Sequence, residues 1–192
     1  MGRLFEKEYC TVSSVMEEPV RPCVFCLGGA KISDAFLMMQ TVLERGIADT
    51  ILTGGLVANI FLIALGKQIG NGSRAFICKS NYAEFFDRAK DLYRQFGDKI
   101  ILPEDLAWVE NGERREAPID LIPDEISAVD IGHATAAAYR EVILSATKSV
   151  PKTFCQAFFL VRSDRRMYQR MMAAKPLMRK MANNGIHTNK KM

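Results

Sequence analysis

The sequence predicts an α/β fold in which a parallel β-sheet carries helices on both faces. Residues 23–27 and 50–53 are largely apolar runs of strand length, and each ends at a pair of glycines before a segment with helical spacing. Strands that alternate with helices of ten or more residues are joined by right-handed crossovers, which place the strands parallel. We therefore expect a three-layer Rossmann-like sheet.

Three helical segments follow these strands. Residues 34–45 carry apolar side chains at helical spacing, with Ser33 placed to cap the helix and Gly46 to end it. Residues 56–65 are almost entirely apolar, which predicts a helix buried between the sheet and its neighbours. Residues 82–96 have one apolar and one charged side, as in an amphipathic helix.

A hairpin is predicted at residues 106–119. It turns at Asn111 and Gly112, a pair favoured in two-residue turns, and it carries Trp108, the only tryptophan of the chain. Three further elements are expected: a short strand at 100–102, a buried strand at 129–132 and a helix at 134–146.

The two glycine pairs indicate an anion site. Glycine lets a ligand approach the main chain closely, and the helix that follows begins with unpaired N–H groups and a partial positive charge. Lys31 adds a full charge beside Gly28 and Gly29. One such corner is equally consistent with a plain turn, and it matches neither the P-loop nor the dinucleotide motif. A second corner at Gly54 and Gly55 favours binding, because neighbouring strand ends share the ligand edge of a parallel sheet.

The cysteines and histidines do not indicate a metal site. Cys23 and Cys26 are separated by two residues, so on an extended strand they point to opposite faces, and no second Cys-x-x-Cys completes a zinc site. Neither His133 nor His187 supplies the missing ligands. We expect buried, reduced thiols, and a zinc-dependent or triad-type hydrolase is poorly supported.

Length and composition fit one domain. The chain has 192 residues, of which 48% are hydrophobic and 25% charged, as in ordinary globular proteins. It contains no apolar run of membrane-spanning length, and its first residues lead into charged side chains rather than a signal peptide. A monomeric cytoplasmic protein without membrane association is expected.

The two glycine corners and residues 32–39 between them resemble the nucleotide-binding half of phosphoglycerate kinase, particularly its archaeal branch. The resemblance extends over residues 2–147 in the order and spacing of the family. It includes a Leu-Pro-x-Asp strand end within residues 98–107. Two more segments match the family. One is formed by residues 122–124 together with 129–132, and the other is the run at 2–7, which corresponds to the entry into the interdomain helix of the family.

This resemblance implies a fold that binds ATP or ADP with Mg and serves reversible phosphoryl transfer between ATP and 3-phosphoglycerate. Lys31 would contact nucleotide phosphate, and main chain at the two corners would line the phosphate and adenine sites. Main chain just before the Asp-x-Gly strand end would also contact the nucleotide. The nucleotide-binding residues expected from the resemblance are Gly28, Gly29, Ala30, Lys31, Gly54, Gly55, Ala128 and Val129. No catalytic residue and no protein ligand to a metal is expected in this chain.

The chain also departs from the family pattern. Ala35 stands where many members have a second lysine, and His133 stands where proline is usual. The glutamate that holds the ribose and the aspartate near the magnesium are not found. The phosphoglycerate-binding domain is expected to precede residue 1, so hinge closure and use of 3-phosphoglycerate would require that domain to be supplied. We predict an interdomain-helix remnant at 1–20, a nucleotide-binding domain at 21–147 and a divergent tail at 148–192.

The tail differs sharply in charge from the rest. Up to Thr147 the chain has 15 Lys and Arg against 21 Asp and Glu, whereas from Lys148 onward it has 11 against one. A basic arm for nucleic acid is one explanation. A shifted reading frame or gene remnant is the other explanation. We favour it because the motifs of the family end where the charge balance changes, near residue 148. The sheet would then be incomplete at its C-terminal end, with one strand from the apolar residues at 154–160 and a basic helix at 164–182.

Three functions therefore remain open: a phosphoglycerate kinase fragment that is weak or inactive alone, a nucleotide-binding module without catalysis, and nucleic-acid binding through the tail.

Overall fold

A computed structural model of the chain describes residues 2–29, 31–128, 130–148 and 157–160. The site residues Ala30 and Val129 and the predicted helix at 164–182 lie outside these ranges. Among the described helices, none is long and apolar enough to cross a membrane.

Helices and strands alternate through most of the described residues. The α-helices are α1 Arg3–Glu17, α2 Ile32–Glu44, α3 Gly55–Ala64, α4 Asn71–Lys79, α5 Phe85–Phe96 and α6 His133–Lys148. The strands are β1 Val24–Leu27, β2 Thr50–Thr53, β3 Ile100–Ile101, β4 Asp105–Glu110, β5 Glu113–Pro118, β6 Asp130–Ile131 and β7 Ala157–Leu160. Short 3-10 helices lie at Tyr82–Glu84 and Ile119–Leu121.

The main sheet is parallel, and its strand order is β3-β2-β1-β7. β1 and β2 pair from Val24 opposite Thr50 to Leu27 opposite Thr53, so both strands end at the same level. The predicted α/β class with a Rossmann-like sheet is confirmed. The strand expected within the tail is present as β7, which pairs with β1.

The sheet is buried on both faces, which explains the continuous apolarity of its strands. Phe25 and Leu27 of β1 belong to the larger core with α2, α3 and α5, whereas Val24 and Cys26 face the smaller core with α6. Aromatic stacking joins α2 to α3, since the rings of Phe36 and Phe61 lie 5.4 Å apart.

A second, antiparallel sheet has the strand order β5-β4-β6. The predicted hairpin is confirmed: β4 and β5 pair from Asp105 to Glu110, and both turn residues have the positive φ of a two-residue hairpin turn, 51° at Asn111 and 81° at Gly112. The strand predicted at 129–132 does not join the parallel sheet. It forms β6, antiparallel to β4, because no helical crossover separates it from the hairpin.

Helix ends differ in part from the prediction. α2 begins at Ile32 with Lys31 at the N-cap position, so Ser33 lies inside the first turn and does not cap the helix. Gly46 follows the helix with φ +63°, as predicted for a terminating glycine. Helix α4 was not predicted from sequence, because Ser73 and Ile77 are its only buried residues and its apolar pattern is short.

Candidate nucleotide site

The first glycine corner lies at the carboxyl end of β1. Gly28 is buried, and Gly29 is half-buried with φ +94°. α2 begins three residues later, with Lys31 at its N-cap position and no side chain capping its first turn. The chain thus passes from a buried strand to an uncapped helix N-terminus within four residues.

The second corner lies directly beside the first. The amide of Gly54 donates a hydrogen bond of 3.0 Å to the carbonyl of Leu27, so the end of β2 is tied to the end of β1. Gly55 has φ +53°, and a Cβ built on it would lie 3.6 Å from the amide nitrogen of Gly29. The structure therefore brings together the two corners that the sequence placed at one edge of the sheet.

Two helix N-termini meet at this edge. Neither α2 nor α3 has a side-chain hydrogen bond at its N-cap, and α3 has no acidic residue in its first turn. The first amides of an uncapped helix lack intrahelical partners and carry the positive end of the helix dipole. The edge formed by Gly29, Gly54 and Gly55 is therefore suited to an anion.

Lys31 supplies a mobile cation at the same edge. Its side chain is 70% exposed, and its ammonium lies 4.0 Å from the carboxylate of Asp34, which is itself 64% exposed. A contact of this length between exposed groups is weak, so Lys31 is available to a ligand.

Side-chain hydrogen bonds hold the strand end that precedes the second glycine corner. The hydroxyl of Tyr139 on α6 lies within hydrogen-bond distance of two carbonyl oxygens, 2.9 Å from that of Thr53 and 3.1 Å from that of Ile101. The Thr53 hydroxyl donates to the same Ile101 carbonyl at 3.0 Å. Burial raises the pKa of Tyr139, so the phenol stays protonated. Gly54 thus follows a strand end that is held rigidly.

A small cavity lies beside Thr53 and Tyr139. It is lined chiefly by apolar side chains, including Leu27 and Leu52, and its volume is about 10 Å³. This is space for about one water molecule. The cavity is therefore too small to hold a nucleotide.

Ala128 is held close to α3. Its carbonyl accepts a hydrogen bond of 2.9 Å from the side-chain amide of Asn59, and its own amide donates to the hydroxyl of Ser73 at 2.7 Å. Asn59 lies four residues after Gly55, on the same helix face. Of the predicted site residues, Ala128 is therefore tied to the residue that lies one helical turn beyond Gly55.

Asn59 and Ser73 were not predicted as site residues. The signal for Asn59 was present, because it is the one polar residue in the apolar stretch at 56–65. A buried side-chain amide requires a hydrogen-bond partner, which implies contact with another segment. The partner itself could not be read from the sequence.

A second polar cluster lies at the N-terminus of α6 and has a structural role. The Asp105 carboxylate accepts hydrogen bonds from the amides of Ala134 and Thr135, at 2.9 and 2.8 Å. Glu116 accepts the amide of His133 at 2.8 Å. A proline at position 133 has no main-chain N–H and could not make this hydrogen bond to Glu116. The histidine that replaces the usual proline of the family therefore supplies a donor at the start of α6.

Glu116 also binds the guanidinium of Arg114. Burial alone would raise the pKa of Glu116, but hydrogen bonds from the His133 amide and from Arg114 outweigh it and hold this pKa below its usual value. The ionised carboxylate therefore caps α6.

The cysteines lie as the sequence predicted. Cys23 belongs to the larger core and Cys26 to the smaller one, on opposite faces of the sheet, and both are buried thiols. Burial raises the pKa of Cys23 to about 11 and that of Cys26 to about 12, so neither is a thiolate at neutral pH. Among the described residues, no three His, Cys, Asp or Glu side chains come together to hold a metal ion.

The arrangement fits the phosphates of a nucleotide, through main-chain amides and Lys31. Among the described residues, no group of three or more potential metal ligands gathers at this edge, although a magnesium ion carried by nucleotide phosphates needs only one or two protein carboxylates.

Comparison with known proteins agrees with the geometry. The sequence profile of the phosphoglycerate kinase family matches residues 1–152. The phosphoglycerate kinase of Methanothermus fervidus is 43% identical over 145 residues, and that of Methanococcus maripaludis is 42% identical over 146 residues. Each match covers 76% of this chain and 35% of the relative, so the chain spans about a third of the length of these relatives.

Solved structures show the same relationship. The phosphoglycerate kinase of Pyrococcus horikoshii OT3 superposes with a TM-score of 0.72 at 34% identity, covering 76% of this chain and 37% of that one. The Coxiella burnetii phosphoglycerate kinase has a TM-score of 0.62 at 27% identity with the same coverage. With the fold, the paired glycine corners and these matches together, the chain belongs to the phosphoglycerate kinase family.

Proposed function

We propose that this chain is the nucleotide-binding, C-terminal half of a phosphoglycerate kinase and that it binds ATP or ADP at the glycine corners. One observation carries the proposal: the corners at Gly29 and Gly55 lie side by side, at the uncapped N-termini of two helices and beside the exposed Lys31. We assign this function to residues 21–147, with residues 1–20 as the interdomain-helix remnant and 148–192 as the divergent tail.

In this proposal the main-chain amides of the corners receive the phosphate oxygens, and Lys31 neutralises part of their charge. Ala128, which is hydrogen-bonded to Asn59 of α3, and Val129 are proposed from the family resemblance to contact the nucleotide as well. Phosphoryl transfer needs little covalent help, so these groups act by alignment and by electrostatic stabilisation. Magnesium would add positive charge at the phosphates.

The reaction we propose for the whole enzyme is reversible phosphoryl transfer between ATP and the carboxylate of 3-phosphoglycerate. The chain alone is expected to turn over slowly or not at all, because it spans about a third of the relatives. A coupled assay with ATP and 3-phosphoglycerate tests this. Turnover equal to that of a full-length relative would contradict it.

Calorimetric titration with Mg-ADP tests the site itself. Lys31→Ala should weaken binding by roughly tenfold or more, as expected for losing a hydrogen bond to a charged group. Lys79→Ala, at the far end of α4, is the matched control and should bind like the unaltered chain. Equal affinities of Lys31→Ala and Lys79→Ala would remove Lys31 from the site.

Cytoplasmic location, a monomeric state and nucleic-acid binding through the tail stay predictions. The tail falls outside the described residues except for Lys148 and β7.

A further inference from the structure

Helix α6 contacts the strand end before the second glycine corner through the side chain of Tyr139. This side chain is 4% exposed and packs in the smaller core, which also contains Leu52 and Ile143. Its hydroxyl lies 2.9 Å from the carbonyl oxygen of Thr53 and 3.1 Å from that of Ile101. The Ile101 carbonyl already accepts the Thr53 hydroxyl at 3.0 Å. Because a phenol has a single hydrogen to donate, the shorter contact assigns it to the Thr53 carbonyl.

The peptide unit between Thr53 and Gly54 is therefore held at both of its polar groups. Its carbonyl, from Thr53, accepts the hydroxyl of Tyr139, and its amide, from Gly54, donates to the carbonyl of Leu27 at 3.0 Å. Both groups lie in one rigid plane, so the plane cannot turn without breaking at least one of these hydrogen bonds. Thr53 is 1% exposed and Gly54 is buried, so water does not readily replace a bond that is lost.

The two residues that follow this plane have little means of fixing their own conformation. Gly54 is the N-cap of α3, and Gly55 is the first residue of the helix, with φ +53°. Two successive glycines have wide conformational freedom and no side chain that could anchor them. The direction of the first amides of α3, which the proposed function assigns to the ligand, therefore depends on what holds the peptide in front of them.

We propose that Tyr139 is a positioning residue of the nucleotide site. Its hydroxyl sets the plane of the peptide between Thr53 and Gly54, and thereby the direction in which Gly55 and the first turn of α3 present their amides to the nucleotide. Tyr139 acts from within the smaller core and does not touch the ligand. This inference rests on the proposed function.

Tyr139→Phe tests this role, because it removes the hydroxyl and keeps the ring in the core. In the full chain without ligand, the Gly54 amide should exchange with deuterium about threefold faster or more, since its peptide plane loses one of two anchors. Calorimetric titration with Mg-ADP should give an affinity about threefold to tenfold lower, the range expected for losing one ordinary hydrogen bond.

Ile143→Val is the matched control for a general loss of stability. Ile143 lies one turn beyond Tyr139 on α6 and in the same core, and its substitution keeps both hydrogen bonds of the peptide. The loss of a methylene should lower the melting temperature about as much as Tyr139→Phe does. At a temperature where both variants are folded, Ile143→Val should leave the exchange of Gly54 and the affinity for Mg-ADP unchanged.

The comparison of these two variants decides the inference. An exchange rate at Gly54 or an affinity for Mg-ADP that is the same in both would overturn it. If Tyr139→Phe does not fold, Thr53→Val replaces it: the Ile101 carbonyl then competes for the phenol hydrogen, so both readouts should move in the same direction, and unchanged values would again overturn the inference. Failure of the unaltered chain to bind Mg-ADP would instead overturn the proposed function and this inference with it.

Discussion

Replacing Gly55 with alanine should both destabilise the fold and weaken nucleotide binding, and the two effects can be measured separately. Gly55 has φ +53°, and a left-handed conformation costs a residue with a Cβ about 1 to 2 kcal/mol. The new methyl group causes no clash, because it would lie 3.6 Å from its nearest neighbour, the amide nitrogen of Gly29. For a chain of this size, the melting temperature should fall by about 2 to 8 °C.

The same methyl group occupies the approach to the Gly29 amide. A phosphate oxygen must come to about 2.9 Å from that nitrogen to accept its hydrogen bond. Loss of one such bond to a charged group costs about 1.5 to 3 kcal/mol. This corresponds to roughly a tenfold to hundredfold weaker affinity for ADP.

Gly46→Ala separates the two effects. Gly46 also has positive φ, at +63°, and a Cβ there meets nothing within 4 Å. It should lower the melting temperature like Gly55→Ala but leave ADP affinity unchanged, as measured by thermal unfolding and calorimetry on both variants. Equal ADP affinity in the two variants would refute the assignment of the Gly29 amide to the anion site.

Three further predictions concern the surroundings of the site. Asp105→Ala should destabilise the fold by about 2 kcal/mol in urea titrations, because it removes the cap of α6. Since the pKa of Glu116 is lowered in the folded state, its ionised form stabilises the fold above the usual value of 4.5, and this contribution is lost as the pH falls through the folded pKa. Glu116→Gln should therefore flatten the acid dependence of the urea midpoint between pH 7 and pH 3, and an unchanged profile would contradict the role of this carboxylate. An alkylating reagent followed by mass spectrometry should modify the exposed Cys10 and Cys78 well before the buried cysteines of the sheet, and equal rates would contradict their burial.

The parallel sheet and its glycine corners could be predicted from local sequence. Apolar runs that end in glycine pairs indicate both burial and the end of a strand, so β1, β2 and the placement of the two glycine corners at one edge of the sheet could be predicted from spacing. The hairpin could also be predicted, because the pair Asn111 and Gly112 favours a small set of two-residue turns.

Features that depend on tertiary contacts could not be predicted. The strand β6 pairs with β4 through hydrogen bonds that no local pattern encodes, and the partners of Asn59 lie 69 residues away in the chain. Likewise, the first turn of α2 forms without a side-chain cap, although Ser33 is a good capping residue. Under the proposed function, a bound phosphate would supply hydrogen-bond partners for these uncapped amides.

Mapping the backbone amides by NMR during a titration with Mg-ADP locates the nucleotide on the chain. We expect the largest, saturable shifts at Gly28, Gly29 and Lys31 and at Gly54 and Gly55, with smaller shifts at Ala128. Absence of saturable shifts, or shifts concentrated at the capped N-terminus of α6 instead, would contradict a nucleotide site at the glycine corners.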